Sequence, residues 1–111
     1  MGAVAAMAVT ALGATVCPAR ATAEKPQTHT VEIKNFKFAP RKLQVRPGDT
    51  ILWINRDIVP HTATAGDQGW DTGSLKRGQS KSLEVRWEMT FAYICRFHPS
   101  MKAEITVTAK P

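Results

Sequence analysis

Apolar residues recur at every second position in several short windows of this chain, and no window shows the three-to-four spacing of a capped helix. Residues 30–38, TVEIKNFKF, place Val31, Ile33 and Asn35 on one face and Glu32, Lys34, Phe36 and Phe38 on the other. That mixture predicts a strand with a change of register or a bend near Asn35, ended by Pro40. Alternation resumes at Leu43 and Val45, stops at the turn signal Pro47-Gly48-Asp49, and gives way to the apolar strand TILWIN over 50–55. Residues 56–78 carry Pro60, Gly66, Gly69, Gly73 and Gly78. They read as loop, extended only at 62–64, with room for at most a turn or two of helix after 66. Residues 80–87, SKSLEVRW, put Leu83, Val85 and Trp87 on one side, and 91–95 and 104–108 are two further β-like runs. Short strands at this spacing predict an all-β chain, an antiparallel β-sandwich or barrel.

The 111 residues are enough for one domain. Residues 1–23 contain no Asp, Glu or Lys, their only charge is Arg20, and they end in Ala21-Thr22-Ala23. This predicts a secretory signal peptide over 1–23 and a folded domain over 24–111. The apolar run from Ala3 is about 14 residues, short of the roughly 20 that span a bilayer, so no integral membrane segment is expected once the signal is removed. The formal net charge is +6, with basic residues scattered and no aromatic interleaving. A net positive charge favours acidic partners or anionic surfaces, but with no nucleic-acid pattern the scattered charges read first as a solvated basic surface. Cys17 leaves with the signal. One thiol, Cys95, then remains in an exported protein, where a lone thiol is oxidised or paired unless it is buried or ligated.

Around that thiol the sequence reads CRFHPSM, with Cys95, His98 and Met101 three residues apart. An extended strand cannot bring these three to one point, but a tight connection before a last strand starting near Ala103 can. His61, stiffened by Pro60, is the natural fourth partner from the loop after 50–55. Two imidazoles, a thiolate and a thioether suit copper in a His2Cys plane with a weak axial Met, whereas zinc rarely takes Met. A site held between the preferences of Cu(II) and Cu(I) changes little on electron transfer. The competing reading is a sandwich with a buried free thiol that binds no metal. His29 lies outside the pattern and is expected to be solvent-exposed.

Two segments, VRPGDTILWINRDIVPHTAT and FAYICRFHPSMKAEITV, resemble the cupredoxins of the plastocyanin/azurin family, and the short Cys-x2-His-x2-Met spacing is most similar to amicyanins. The resemblance spans about residues 30–108. It implies a Greek-key β-sandwich and one type 1 copper per chain, held by His61, Cys95, His98 and Met101. It also implies a monomeric periplasmic protein that shuttles single electrons between redox partners, with His98 as the exposed ligand. The alternative is a periplasmic copper carrier or storage protein. Enzymatic activity is not expected, because further copper centres need more histidines than the three present. Thr62 stands where many members have Asn, and a looser tie between the ligand loops is expected. Arg96 and Phe97 stand where amicyanins usually carry Thr and Pro. Unlike a proline, Phe97 keeps an N–H, a candidate donor to the Cys95 sulfur.

Overall fold

The computed structural model describes residues 25–89 and 91–108. Eight strands run in the order β1 (Thr28–Lys34), β2 (Lys37–Ala39), β3 (Lys42–Val45), β4 (Thr50–Asn55), β5 (Thr64–Ala65), β6 (Ser80–Glu84), β7 (Ala92–Cys95) and β8 (His98–Val107). They form two four-stranded sheets, β2-β1-β4-β6 and β3-β8-β7-β5. The chain crosses from one sheet to the other five times. Among the described residues there is no helix, within the limit of a turn or two set for the region after residue 66. The sandwich is all-β, but its sheets are mixed: β1 runs parallel to β4 and β3 parallel to β8, where antiparallel pairing was expected. The crossings explain this, since strands that pair after a crossover need not reverse direction.

The break expected near Asn35 is a full reversal, and the segment over 30–38 is two strands. Asn35 and Phe36 both take positive φ, 55° and 58°, so the chain reverses in two residues and Ile33 faces Phe38. Positive φ at both central positions suits the right-handed twist of the flanking strands. The turn resets the alternation, which puts Phe38 on the buried face with Val31 and Ile33.

In β4 the alternation is regular, with Ile51, Trp53 and Asn55 pointing inward. Trp53 is the centre of an aromatic cluster: Trp70 stacks on it at 5.2 Å and Tyr93 meets it edge-on at 5.6 Å. Phe38 closes on Tyr93 from the other side at 4.7 Å. Burial pushes the Tyr93 hydroxyl up to about 12, against a smaller opposing pull from Trp53. The predicted run over 80–87 ends early. Val85 is buried, but the strand stops at Glu84 and Trp87 is partly exposed.

Candidate metal centre

Two strand ends and one loop converge at one end of the sandwich. The loop after β4 is shaped by Asn55, which is fully buried. Its amide nitrogen donates to the carbonyls of Val59 (2.9 Å) and Leu75 (2.7 Å), and its carbonyl oxygen accepts the Asp57 N–H (2.8 Å). One side chain thus folds residues 55–59 into a tight arch. His61 follows, and its main chain bonds Leu75 in both directions at 3.1 and 2.8 Å. Position and direction of this side chain are fixed before any metal is considered.

From the other side comes the β7–β8 hairpin. Cys95 pairs with His98 across a two-residue turn, Arg96-Phe97, whereas Ile94 pairs with Lys102. The pairing slips by three residues, so Pro99, Ser100 and Met101 have no partner on β7. This bulge answers the difficulty that a regular strand poses: β8 extends back to His98, but its first residues are released from the ladder and free to turn. The regular ladder starts at Lys102, close to the predicted start of the last strand.

The structure brings His61, Cys95 and His98 together, with one ligand atom from each all within 4.8 Å of one another. Both imidazoles aim Nδ1 at the sulfur, at 3.6 Å for His61 and 3.7 Å for His98. Metal bonds of about 2.0 Å to nitrogen and about 2.3 Å to sulfur, opened to between tetrahedral and trigonal angles, put N and S about 3.5–3.7 Å apart. The donor set therefore fits one ion without rearrangement. Cys95 and His61 are fully buried and His98 reaches the surface. Met101 lies in the bulge and is buried in the core with Ala103, Ile105 and Val107.

Each ligand has support that spacing alone did not reveal. The His61 Nε2 lies 2.8 Å from Asp57 Oδ2. A carboxylate there fixes the tautomer with the proton on Nε2 and leaves the Nδ1 lone pair for a metal. The same carboxylate accepts the N–H groups of Asn35 (2.7 Å) and Phe36 (3.0 Å), so Asp57 joins the β1–β2 turn to the site. Burial pulls this carboxyl upward, but the bonds from Phe36, Asn35 and His61 outweigh it and hold it below the usual range. Phe36 in turn presents its ring to both imidazoles at near right angles, 5.2 Å from His61 and 4.8 Å from His98. A left-handed φ at a bulky residue is strained by about 1–2 kcal/mol, and the two-point grip of Asp57 on the turn holds it. Asp57 four residues before His61 was the one available sequence signal for this arrangement.

The N–H that reaches the Cys95 sulfur belongs to Thr62, at 3.4 Å, where Phe97 was the candidate donor. The Phe97 side chain stands about half exposed on the turn. Thr62 also replaces the expected loose tie with a direct one, its Oγ1 accepting the Arg96 N–H at 2.9 Å. His29 is half-buried, not solvent-exposed: its Nε2 lies 2.9 Å from Asp49 Oδ2, near the start of β4 and away from this site.

Comparison with known proteins agrees with this geometry. The Cupredoxin-like domain family matches residues 3–107. Amicyanin of Paracoccus denitrificans is 32% identical over 82 residues, 69% of this chain and 63% of that protein, so the match spans a little under two thirds of the relative. Amicyanin of Paracoccus versutus is 25% identical over 95% of this chain and 92% of its own. A solved methionine-to-alanine variant of amicyanin in the Cu(I) form superposes with a TM-score of 0.64 at 32% identity, over 72% of this chain and 81% of that one. The copper-containing nitrite reductase NirK of Thermus scotoductus superposes with a TM-score of 0.69 at 27% identity, over 79% of this chain but 24% of the enzyme. The family match covers nearly the whole chain, and this chain belongs to the cupredoxin-like family.

Proposed function

We propose that this protein is a type 1 copper electron carrier, with His61, Cys95 and His98 as the strong ligands and Met101 as the weak axial one. The observation that carries the reading is a fully buried thiol with the Nδ1 atoms of two imidazoles 3.6 and 3.7 Å from its sulfur, only one of the two imidazoles reaching the surface. Copper, when bound, supplies the exchange of one electron between Cu(II) and Cu(I).

The chain's own groups do the rest. Asn55, Asp57 and Leu75 hold His61, the Thr62 N–H stabilises the thiolate, and Phe36 packs its ring against both imidazoles. Ligands held this firmly move little when the charge changes, which keeps the barrier to transfer low. His98 is the route in and out for electrons. Beside it Phe36 shares a shallow hollow with Ile58 and Val59, edged by Arg56 and Asp57, and Phe97 is exposed on the ligand turn. That face suits brief docking with a redox protein, and the net charge of +6 favours a partner with an acidic surface. The chain acts as a monomer in the periplasm after export, and it is not itself an enzyme. Three histidines are too few for a further copper centre, and the NirK match leaves most of that enzyme outside.

Adding Cu(II) to the purified protein gives the test. An intense red absorption band with a narrow EPR hyperfine splitting is expected, lost in Cys95→Ser and cycling with reductant without loss of metal. A colourless protein, or one that releases the ion on each reduction, would sink the proposal, the second result favouring a copper carrier.

A further inference from the structure

Asp71 touches no ligand, yet it closes a ring of polar contacts around the turn that carries two of them. Arg96 donates its backbone N–H to Thr62 Oγ1 at 2.9 Å. The hydroxyls of Thr62 and Thr64 are 2.9 Å apart. Thr64 donates to Asp71 Oδ1 at 2.9 Å, and the Arg96 guanidinium meets Asp71 Oδ2 at 3.0 Å. Arg96 is therefore gripped at its main chain by Thr62 and at its side chain by Asp71.

The direction of every bond in this ring follows from one charge. A carboxylate only accepts, so Thr64 spends its single hydroxyl proton on Asp71 and offers its oxygen to Thr62. Thr62 then spends its own proton on Thr64, and its free lone pair receives the Arg96 N–H. Without the carboxylate the Thr62–Thr64 contact could run either way, and the lone pair that Thr62 turns to the Arg96 N–H would no longer be set in one direction. Thr62 and Thr64 are buried, so water does not compete for these hydroxyls. Thr62 also gives its backbone N–H to the Cys95 sulfur, which makes it the joint between the ring and the ligand.

We propose that Asp71 is a positioning residue for the metal centre, acting through Thr64, Thr62 and Arg96 to hold the Arg96-Phe97 turn, and hence the Cys95-to-His98 geometry. The proposal rests on the copper reading for its effect on potential and spectrum. Its mechanical part stands on the metal-free protein. A turn that lacks proline needs some other restraint, and this ring supplies one.

The test uses Asp71→Asn, Thr64→Val and Thr64→Ser in the full chain. An asparagine amide can donate to Thr64, which removes the fixed direction of the ring. In the metal-free protein, hydrogen exchange at the Arg96 amide is expected to be about tenfold faster or more in Asp71→Asn and Thr64→Val, and near wild type in Thr64→Ser. In the copper-loaded protein the first two variants are expected to shift the reduction potential and the EPR hyperfine splitting in the same sense, and their double variant no further than either alone. Thr64→Ser should restore both signals. If Asp71→Asn alters the melting temperature alone, with exchange at Arg96 as in wild type, the proposal fails, as it does if Thr64→Ser behaves like Thr64→Val. Failure of the protein to turn blue would remove the electron-carrier reading while leaving the exchange result to judge the ring.

Discussion

Asp57 shows how much one side chain can organise when it accepts from three donors at once. Its partners are a buried imidazole and the two N–H groups of a left-handed turn. Truncation would leave them unpaired next to a fully buried ring. Asp57→Ala is expected to lower stability by about 2–4 kcal/mol in denaturant unfolding, and to weaken copper retention against a chelator. The site was only partly legible at this scale. His61, Cys95 and His98 were readable because soft donors in a short spacing are rare by chance. Asp57 and Phe36 were not, because a carboxylate four residues upstream and an aromatic in a separate hairpin acquire meaning only after the chain has folded them against the imidazoles. Phe97 was the wrong donor for a similar reason: which N–H points at a sulfur depends on the turn, and sequence does not fix the turn.

Strands and turns explain where the reading along the chain slipped. Alternation located β4 and β7 well, because both bury one face against the aromatic cluster. It marked the break at Asn35 but not the reversal that two residues at positive φ make there, and it missed the start of β8, where three unpaired residues hide a ladder that starts earlier than its regular part. The far end of the sandwich offers a cleaner test of element stability. Asp49 links the segment before β1, the turn before β4 and His29, accepting from the Gln27 N–H at 2.9 Å, the Arg46 N–H at 3.1 Å and His29. Burial raises its carboxyl, but these bonds together bring it below the ordinary 3.8. An acid held low in the folded state adds stability above its unfolded pKa and forfeits it as pH falls through the lower folded value. The thermal midpoint of the wild type is therefore expected to drop as pH falls from 5 to about 3. In Asp49→Asn it should start lower and vary less over the same interval.

For the whole molecule, the sandwich is a rigid frame with chemistry at one end. Trp53 is central to it, fully buried between Trp70 and Tyr93. Trp53→Ala is expected to destabilise by about 3–5 kcal/mol in equilibrium unfolding. The fold class was evident from periodicity, but the parallel pairs were not, because pairing partners are chosen by crossovers between sheets and no local pattern records them. The apolar face around His98 should govern encounters while leaving the frame alone. Ile58→Lys, at a side chain that is 79% exposed, is expected to leave the melting temperature unchanged and to slow electron transfer with an apolar-faced partner about tenfold. A stopped-flow measurement with the variant as fast as the wild type would place docking elsewhere.

The unequal burial of the two imidazoles has one more consequence. Cys95 and His61 are sealed inside, and of the three clustered groups His98 alone reaches the surface, so its ring marks the nearest doorway for an ion exchanging with solvent. Whatever protein is engaged at that ring also closes the doorway. Under the proposed function, extraction of copper by a chelator should therefore slow in the presence of a docked partner, the exit being covered while charge passes.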